Sequence, residues 1–257
     1  MFNYQEIEAS VDDYGDIAVA VDERFDVYVN GRQYTTLFTM PSGVEYAVIG
    51  SLVRDGLISS LNDIDSMDVD FKEKRINVKL VREVEVKSIY IEDCSILVEQ
   101  GVRVLSKFTV DWETIRGIFL EFNRRTASVT MGLSSHTSGL YNLAAERAII
   151  AHDSSRHSSI LKIIGAGLKY GFDFDKSIAI TTGRASSDMI VALARVGVPI
   201  VITMRGPLYS GLKAALILGV TLIVNIRRGR KVSGLIPLTH VKRITNYPRR
   251  SHVIPSE

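Results

Sequence analysis

The second half of the chain alternates between short apolar runs and longer stretches in which apolar residues recur at helical spacing. We predict strands at Arg147–Ala151, Ser177–Thr181, Pro199–Met204 and Thr221–Ile226. We predict helices at about Asp111–Arg125, Ser155–Lys169, Ala185–Val196 and Leu208–Leu218. Short strands separated by helices indicate βαβ units and a largely parallel sheet that helices cover on both faces.

The first half has a different pattern. Two β-rich runs within Phe25–Met40 flank Asn30-Gly31, a pair typical of a type I′ hairpin turn. A helix is predicted within Ser42–Ile58, and polar and apolar residues alternate along Arg75–Ile91, which predicts a strand. We therefore expect a small α+β domain at residues 1–104 and an α/β domain at residues 105–257.

Basic residues follow the ends of the predicted strands. One turn places Arg156 beside His157 at a helix start, and a second places Arg184 behind Gly183. The first N–H groups of a helix are unpaired and carry partial positive charge, so added arginines make a receptor for phosphate. The polar residues at these strand ends are His152, Asp153, Arg156, His157, Arg184, Arg205 and Arg227. Because ligands of such sheets bind at the carboxyl ends of strands, we predict one shared site for a polyanion.

Composition narrows the setting more than the function. The 46% hydrophobic residues are typical of a folded protein, and the net charge of only +2 says little about its partners. No aromatic-rich RNA-binding motif accompanies the basic residues, so no nucleic-acid partner is expected. The run Arg227–Lys231 is either solvated surface or a phosphate-binding loop. Cys94 is the sole cysteine, which excludes an intrachain disulfide and a cysteine-based zinc site within one chain. The polar N-terminus and the absence of a long apolar run predict a cytoplasmic protein that does not enter a membrane.

Four segments, in order, resemble one known family. They are YVNGRQYTTLFTMPSGVEYAVIGSLVRDGLI (Tyr28–Ile58), SRHSSILKIIG (Ser155–Gly165), TTGRASSDMIVALARVGVPIV (Thr181–Val201) and GVTLIVNIRRGR (Gly219–Arg230). The chain is similar over nearly its whole length to the FdhD/NarQ family, the formate dehydrogenase accessory sulfurtransferases. The resemblance implies a small N-terminal domain, a three-layer α/β/α domain like that of cytidine deaminases, and a homodimer.

The resemblance also implies an activity. Members of this family take sulfur from a cysteine desulfurase as a cysteine persulfide and pass it to the molybdenum (or tungsten) bis-guanine-dinucleotide pterin cofactor of formate dehydrogenase. Cys94 would carry the persulfide. The resemblance implies that the cofactor is a bound substrate, held by Asn225, Ile226, Arg227, Arg228, Gly229 and Arg230, with Arg156, His157, Arg184 and His136 completing the site.

The sulfur-carrying loop departs from the family pattern. Where the family has C-G-x-C-G, this chain has Cys94 at the first cysteine, Ser95 at the glycine and Leu97 at the second cysteine. The acidic neighbours Glu92 and Asp93 disfavour a thiolate. Two hypotheses therefore stand: a sulfurtransferase working through Cys94, and a non-catalytic binder of the cofactor or of guanine nucleotides.

Several of these polar residues also have a simpler structural interpretation. His136 would only hydrogen-bond a turn, His152 would be ordinary surface, and Asp188 would be a favourable helix-dipole contact. Asp153 would fix Arg156 or His157 and not touch a ligand. A zinc-dependent deaminase is a third function class, but the chain has no P-C-x-x-C motif, so no zinc is expected.

Overall fold

A computed structural model describes residues 2–15, 17–84, 101–228 and 231–248. The strands are β1 (Asn3–Ile7), β2 (Val11–Tyr14), β3 (Ile17–Ala20), β4 (Glu23–Val29), β5 (Arg32–Thr39), β6 (Ile64–Asp70), β7 (Arg75–Leu80), β8 (Val110–Asp111), β9 (His136–Asn142), β10 (Arg147–Asp153), β11 (Ser177–Thr181), β12 (Ile200–Thr203), β13 (Thr221–Arg228), β14 (Lys231–Pro237) and β15 (Ile244–Thr245). The helices are α1 (Val44–Arg54), α2 (Trp112–Gly132), α3 (Arg156–Lys169), α4 (Ser187–Arg195) and α5 (Tyr209–Leu218). In the part of the chain that the structure describes, no helix is long and apolar enough to cross a bilayer.

Seven strands form the larger sheet, in the order β1-β10-β9-β11-β12-β13-β14. Five of them, β1, β10, β11, β12 and β13, run in one direction, while β9 and β14 pair antiparallel with their neighbours. The predicted strands and helices of this half are confirmed to within a few residues, except that α2 continues to Gly132, seven residues beyond its predicted end at Arg125. The sheet is more mixed than predicted, because β9 and β14 are antiparallel to their neighbours. The sequence does not predict these two strands, because both contain polar residues and glycine.

Both faces of the larger sheet are covered, which gives three layers. On one face Ile149 and Ala151 belong to a core that includes residues of α3, α4 and α5. On the other face Ala148 and Ile150 pack in a second core with Ile115 of α2. Asp111 accepts a hydrogen bond from the Glu113 backbone N–H at 2.8 Å and so caps α2.

The smaller sheet has the order β5-β4-β7-β6. Its first hairpin turns at Asn30 (φ 49°) and Gly31 (φ 77°), the left-handed pair that a type I′ turn requires. Its apolar face, which includes Val27 and Ile76, joins the same core as α1 and α3. Helix α1 therefore ties the smaller sheet to the larger one.

The α1–α3 crossing is built on two glycines. A Cβ placed on Gly165 of α3 would lie 2.1 Å from the Tyr46 carbonyl oxygen of α1. A Cβ placed on Gly50 of α1 would lie 2.2 Å from the Leu161 carbonyl oxygen of α3. The two backbones are therefore in direct contact, and only glycine fits at either position.

One strand lies where the predicted domain division does not put it. The proposed small domain, residues 1–104, includes Asn3–Ile7, but this strand pairs in parallel with β10 at the margin of the larger sheet. Its sequence, NYQEI, is too polar to predict a strand. The rest of the division stays a prediction.

Candidate functional site

The strand ends meet at one edge of the larger sheet, as predicted. β9 begins at His136, which is opposite Asp153, the last residue of β10. β11 ends at Thr181, which pairs with Thr203, the last residue of β12. Helix α3 starts directly after β10, at Arg156. Side chains from these elements therefore converge, and we call His136, Arg156, Arg184 and Arg205 the basic edge.

The pKa of His136 reflects the positive charges of the basic edge. The half-buried imidazole has a lowered pKa, first because burial disfavours its charged form. The nearby charges of Arg156 and Arg205 lower this pKa further, against an opposing contribution from Asp153. His136, Arg156 and Arg205 thus lie within electrostatic reach of one another, and the imidazole is biased toward its neutral form.

Arg156 is clamped in place but has a free donor. The backbone of Gly183 lies against its side chain, since a Cβ on Gly183 would be 2.9 Å from Arg156 Cβ. Thr203 Oγ1 donates to the Gly183 carbonyl at 2.6 Å and holds that turn. Within the described residues, the buried Nε of Arg156 has no hydrogen-bond partner. Such unpaired buried donors are rare and unfavourable, so this one is suited to a ligand oxygen.

His157 is held by Asp188, which has more than the predicted helix-dipole role. His157 Nε2 lies 3.0 Å from Asp188 Oδ2 and 3.4 Å from Ser186 Oγ. Burial raises the pKa of Asp188, but the bond and charge of His157 outweigh it and lower that pKa to about 2. The pair joins the start of α3 to the start of α4.

A buried ion pair fixes the start of α3. Lys162 Nζ lies 2.7 Å from Asp153 Oδ2, and both side chains are fully buried. Asp153 Oδ2 also accepts from Thr39 Oγ1 at 2.5 Å, and Asp153 Oδ1 accepts from the Ser155 backbone N–H at 2.8 Å. Asp153 therefore positions the turn before Arg156 and does not offer its charge to a ligand. The sequence does not predict this role for Lys162, because a lysine in a helix ordinarily indicates an exposed position.

The expectation that His152 lies on the surface is wrong. It is 1% exposed, with Nδ1 2.8 Å from Thr137 Oγ1 and Nε2 3.0 Å from Glu6 Oε1. Glu6 comes from β1, the strand that the sequence did not predict. His152 therefore supports the sheet beneath the basic edge.

The structure places the remaining predicted residues unevenly. Arg184 and Arg205 are exposed at the ends of β11 and β12. Asn225 lies at the same edge, one residue past Val224, which pairs with Thr203, and its buried Oδ1 has no partner among the described residues. Ile226 pairs with Gly234, whereas the side chains of Arg227 and Arg228 and the whole of Gly229, Arg230 and Cys94 lie outside the described residues.

Metal ligands are a separate question. In the ranges that the structure describes, no three His, Cys, Asp or Glu side chains are grouped as a candidate metal site. The side chains of the basic edge carry guanidinium and imidazole groups, which recognise oxyanions.

Comparison with known proteins gives relatives along most of the chain. A protein from Methanothermobacter thermautotrophicus named sulfur carrier protein FdhD is 28% identical over 221 residues, covering 82% of this chain and 87% of the relative. A protein of the same name from Wolinella succinogenes is 26% identical over 243 residues, covering 88% of this chain and 84% of the relative.

A solved structure supports the fold. The crystal structure of a protein from Desulfotalea psychrophila, provisionally described as a formate dehydrogenase accessory protein, matches with a TM-score of 0.69. The match covers 92% of this chain and 97% of the other at 22% identity. The family model for FdhD/NarQ matches residues 20–244, and the chain therefore belongs to the FdhD/NarQ family.

Proposed function

We propose that this chain is a formate dehydrogenase accessory protein whose basic edge holds the phosphates of a guanine-dinucleotide pterin cofactor, its substrate. The observation that carries the proposal is the convergence of His136, Arg156 and Arg205 at one sheet edge, with Arg156 Nε buried and unpaired among the described residues. The relatives named sulfur carrier protein FdhD support the same role.

The charges around the basic edge favour an anion. Two carboxylates in its surroundings are already engaged: Asp153 is paired with Lys162, and Asp188 is paired with His157. Neither is left to neutralise Arg156 or Arg205. The positive charge of the arginines at the basic edge is therefore not neutralised by these two carboxylates. A diphosphate would neutralise this charge by accepting hydrogen bonds from paired guanidinium N–H groups.

Asn225 gives a reason to place the base or sugar of the substrate nearby. Its buried Oδ1 lacks a partner among the described residues and can accept one hydrogen bond from a ligand N–H or O–H. The neighbouring positions Ile226, Arg227, Arg228, Gly229 and Arg230 extend this contact in our proposal, as the family resemblance implies.

We further propose that Cys94 carries sulfur to this substrate. The Cys94 thiolate attacks the outer sulfur of a persulfide on a cysteine desulfurase. The donor S–S bond breaks, the donor cysteine leaves as a thiolate, and Cys94 becomes the persulfide. The basic edge would then hold the molybdenum or tungsten cofactor to which this sulfur is passed, for delivery to formate dehydrogenase.

Complementation in cells tests the proposed role. In a host that lacks its own accessory protein, the wild-type chain should restore formate dehydrogenase activity. Arg156→Gln should reduce that activity strongly, while Arg116→Gln should not, because Arg116 is an exposed arginine of α2 paired with Glu113. Equal activity of the two variants at equal protein level would refute the role of the basic edge.

A second candidate function is a carrier that binds the cofactor without sulfur chemistry. It is favoured by Leu97, which stands where the family has its second cysteine. Intact-mass measurement after incubation with a cysteine desulfurase and cysteine separates the two. The gain of one sulfur atom, reversed by reductant and absent in Cys94→Ala, supports sulfur transfer. No gain, with nucleotide binding unchanged in Cys94→Ala, supports the carrier.

The setting of the protein also belongs to this proposal. We place it in the cytoplasm as a homodimer that contacts a cysteine desulfurase and formate dehydrogenase in turn. Sedimentation of the purified chain tests the dimer, and a monomer at micromolar concentration would contradict it.

A further inference from the structure

A cavity lies near the C-terminal ends of α3 and α4, the two helices that start at the basic edge. It has a volume of about 460 Å³ and is lined by residues near the C-terminal ends of three helices, including Val53 of α1, Leu168 of α3 and Arg195 of α4. Leu168 and Arg156 stand twelve residues apart on α3. At 1.5 Å per residue this separates the cavity from the basic edge by roughly 18 Å.

Three arginines line this cavity, which we call the arginine pocket: Arg82, Arg103 and Arg195. Between them lie apolar side chains from four segments of the chain. These are Val53, Ile58, Val102, Leu168, Phe174 and Val196. The pocket thus combines cationic donors with an apolar wall, and its volume falls in the range of small-molecule sites.

Arg195 is held in the pocket with an unused donor. Its guanidinium lies over Gly56, since a Cβ on Gly56 would be 2.9 Å from Arg195 Nη1. Gly56 has φ 72°, so this position favours glycine for its backbone as well. The buried Nε of Arg195 has no hydrogen-bond partner in the described ranges, and burial lowers the pKa of this guanidinium. A bound anion would offset that burial.

Among the described residues, two carboxylates close to the arginines of the pocket have other partners. Asp55, which faces Arg195, accepts from Arg54 Nε at 2.7 Å and from the Tyr34 hydroxyl at 2.5 Å. Hydrogen bonds from the Ser59 and Ser60 backbone lower the pKa of Asp63, and the charge of Arg82 adds to this effect. Asp63 accepts from these two backbone N–H groups at 2.7 and 3.0 Å. Three guanidinium groups thus line the cavity, and no carboxylate is among its described lining residues.

We propose that the arginine pocket binds a small organic phosphate, with the phosphate on the three guanidinium groups and the organic part against Ile58 and Phe174. Guanidinium forks match phosphate oxygens, and the cavity is too large to be filled by inorganic phosphate alone. The proposal concerns a second site and does not depend on the role of the basic edge.

Phenyl phosphate is the probe, with phenol as the uncharged control and inorganic phosphate as the control without an apolar part. In the full-length protein we expect phenyl phosphate to slow amide hydrogen exchange at residues 56–59 and 195–197. Calorimetry should give an affinity about tenfold or more above that of either control.

Two exposed arginines supply a variant that keeps the fold. The double variant Arg82→Gln/Arg103→Gln should lose at least about tenfold in affinity for phenyl phosphate, and Arg195→Gln should lose as much. Arg116→Gln, which removes an exposed arginine of α2 paired with Glu113, should bind like the wild type. Protection confined to the basic edge, equal binding of phenol, or an unchanged affinity of the double variant would each overturn the proposal.

Discussion

The glycine contacts between α1 and α3 allow a prediction in which the same substitution has opposite signs at two positions. Gly117 lies exposed in α2, and a Cβ there would meet nothing within 4 Å. Gly117→Ala should stabilise the protein by about 0.5–1 kcal/mol, because alanine loses less backbone entropy in a helix interior. Gly165→Ala gains the same helix propensity, but its Cβ would fall 2.1 Å from the Tyr46 carbonyl oxygen.

The steric term decides the sign at Gly165. Relief of that contact requires the helix backbones to separate by about an ångström, and overpacking of this kind costs about 1–3 kcal/mol or more. The neighbouring atom is backbone, so no flexible side chain can move aside. Because the gain in helix propensity is the same at both positions, the two alanine variants should differ by this steric cost, about 1–3 kcal/mol or more in the free energy of unfolding.

Thermal unfolding followed by circular dichroism measures this difference. For a chain of this size, about 2–4 °C corresponds to each kcal/mol. Gly117→Ala should raise the midpoint by a few degrees, and the midpoint of Gly165→Ala should lie about 2–12 °C below that of Gly117→Ala. Stabilisation of Gly165→Ala to the same extent as Gly117→Ala would refute the close backbone contact.

Three further predictions concern the polar residues of the site. Asp153→Asn leaves the buried Lys162 ammonium unpaired and should destabilise the protein by about 3–5 kcal/mol, measured by urea unfolding, with partial recovery on adding Lys162→Met. A loss below about 1 kcal/mol would contradict the buried pair. The pKa of Asp188 is lowered from 3.8 to about 2, so its contribution to stability is complete above pH 3.8 and is lost as the pH falls through about 2. In Asp188→Asn the free energy of unfolding should therefore depend less on pH in that window. A pH dependence equal to that of the wild type would contradict the bond to His157. An anion bound at the basic edge neutralises Arg156 and Arg205 and so raises the lowered pKa of His136, which means that binding takes up protons. The affinity of the wild type, compared with that of His136→Asn, should therefore increase as the pH falls below about 6.5. Calorimetry in buffers of different ionisation enthalpy checks this, and zero proton uptake would contradict it.

The strands and helices of the three-layer half could be predicted because their sequences are strongly patterned. Strands such as β11 and β12 are buried on both faces, so they appear as short apolar runs between helical segments. β9 could not be found in this way, since its sequence HTSGLYN buries hydroxyl groups whose partners come from other elements of the fold. Ser138 Oγ, for example, lies 2.8 Å from Ser159 Oγ and 3.1 Å from Thr181 Oγ1.

The site was predicted where its residues follow a local rule and missed where they depend on distant partners. Arg156 and His157 were identified because they stand at a helix start after a strand. Lys162 was missed, and His152 was misplaced, because their burial depends on Asp153 in one case and on Glu6 of β1 in the other. A single sequence does not reveal that such residues come together.

Titration of GDP into the purified protein tests the central claim most directly. The account predicts binding of GDP, none or far weaker binding of guanosine, and a loss of about tenfold or more in Arg156→Gln and in Arg205→Gln. Arg116→Gln, which removes an arginine on α2 that is paired with Glu113, should bind like the wild type. Equal affinity for GDP in Arg156→Gln and Arg116→Gln, or no binding of GDP by the wild type, would contradict the account.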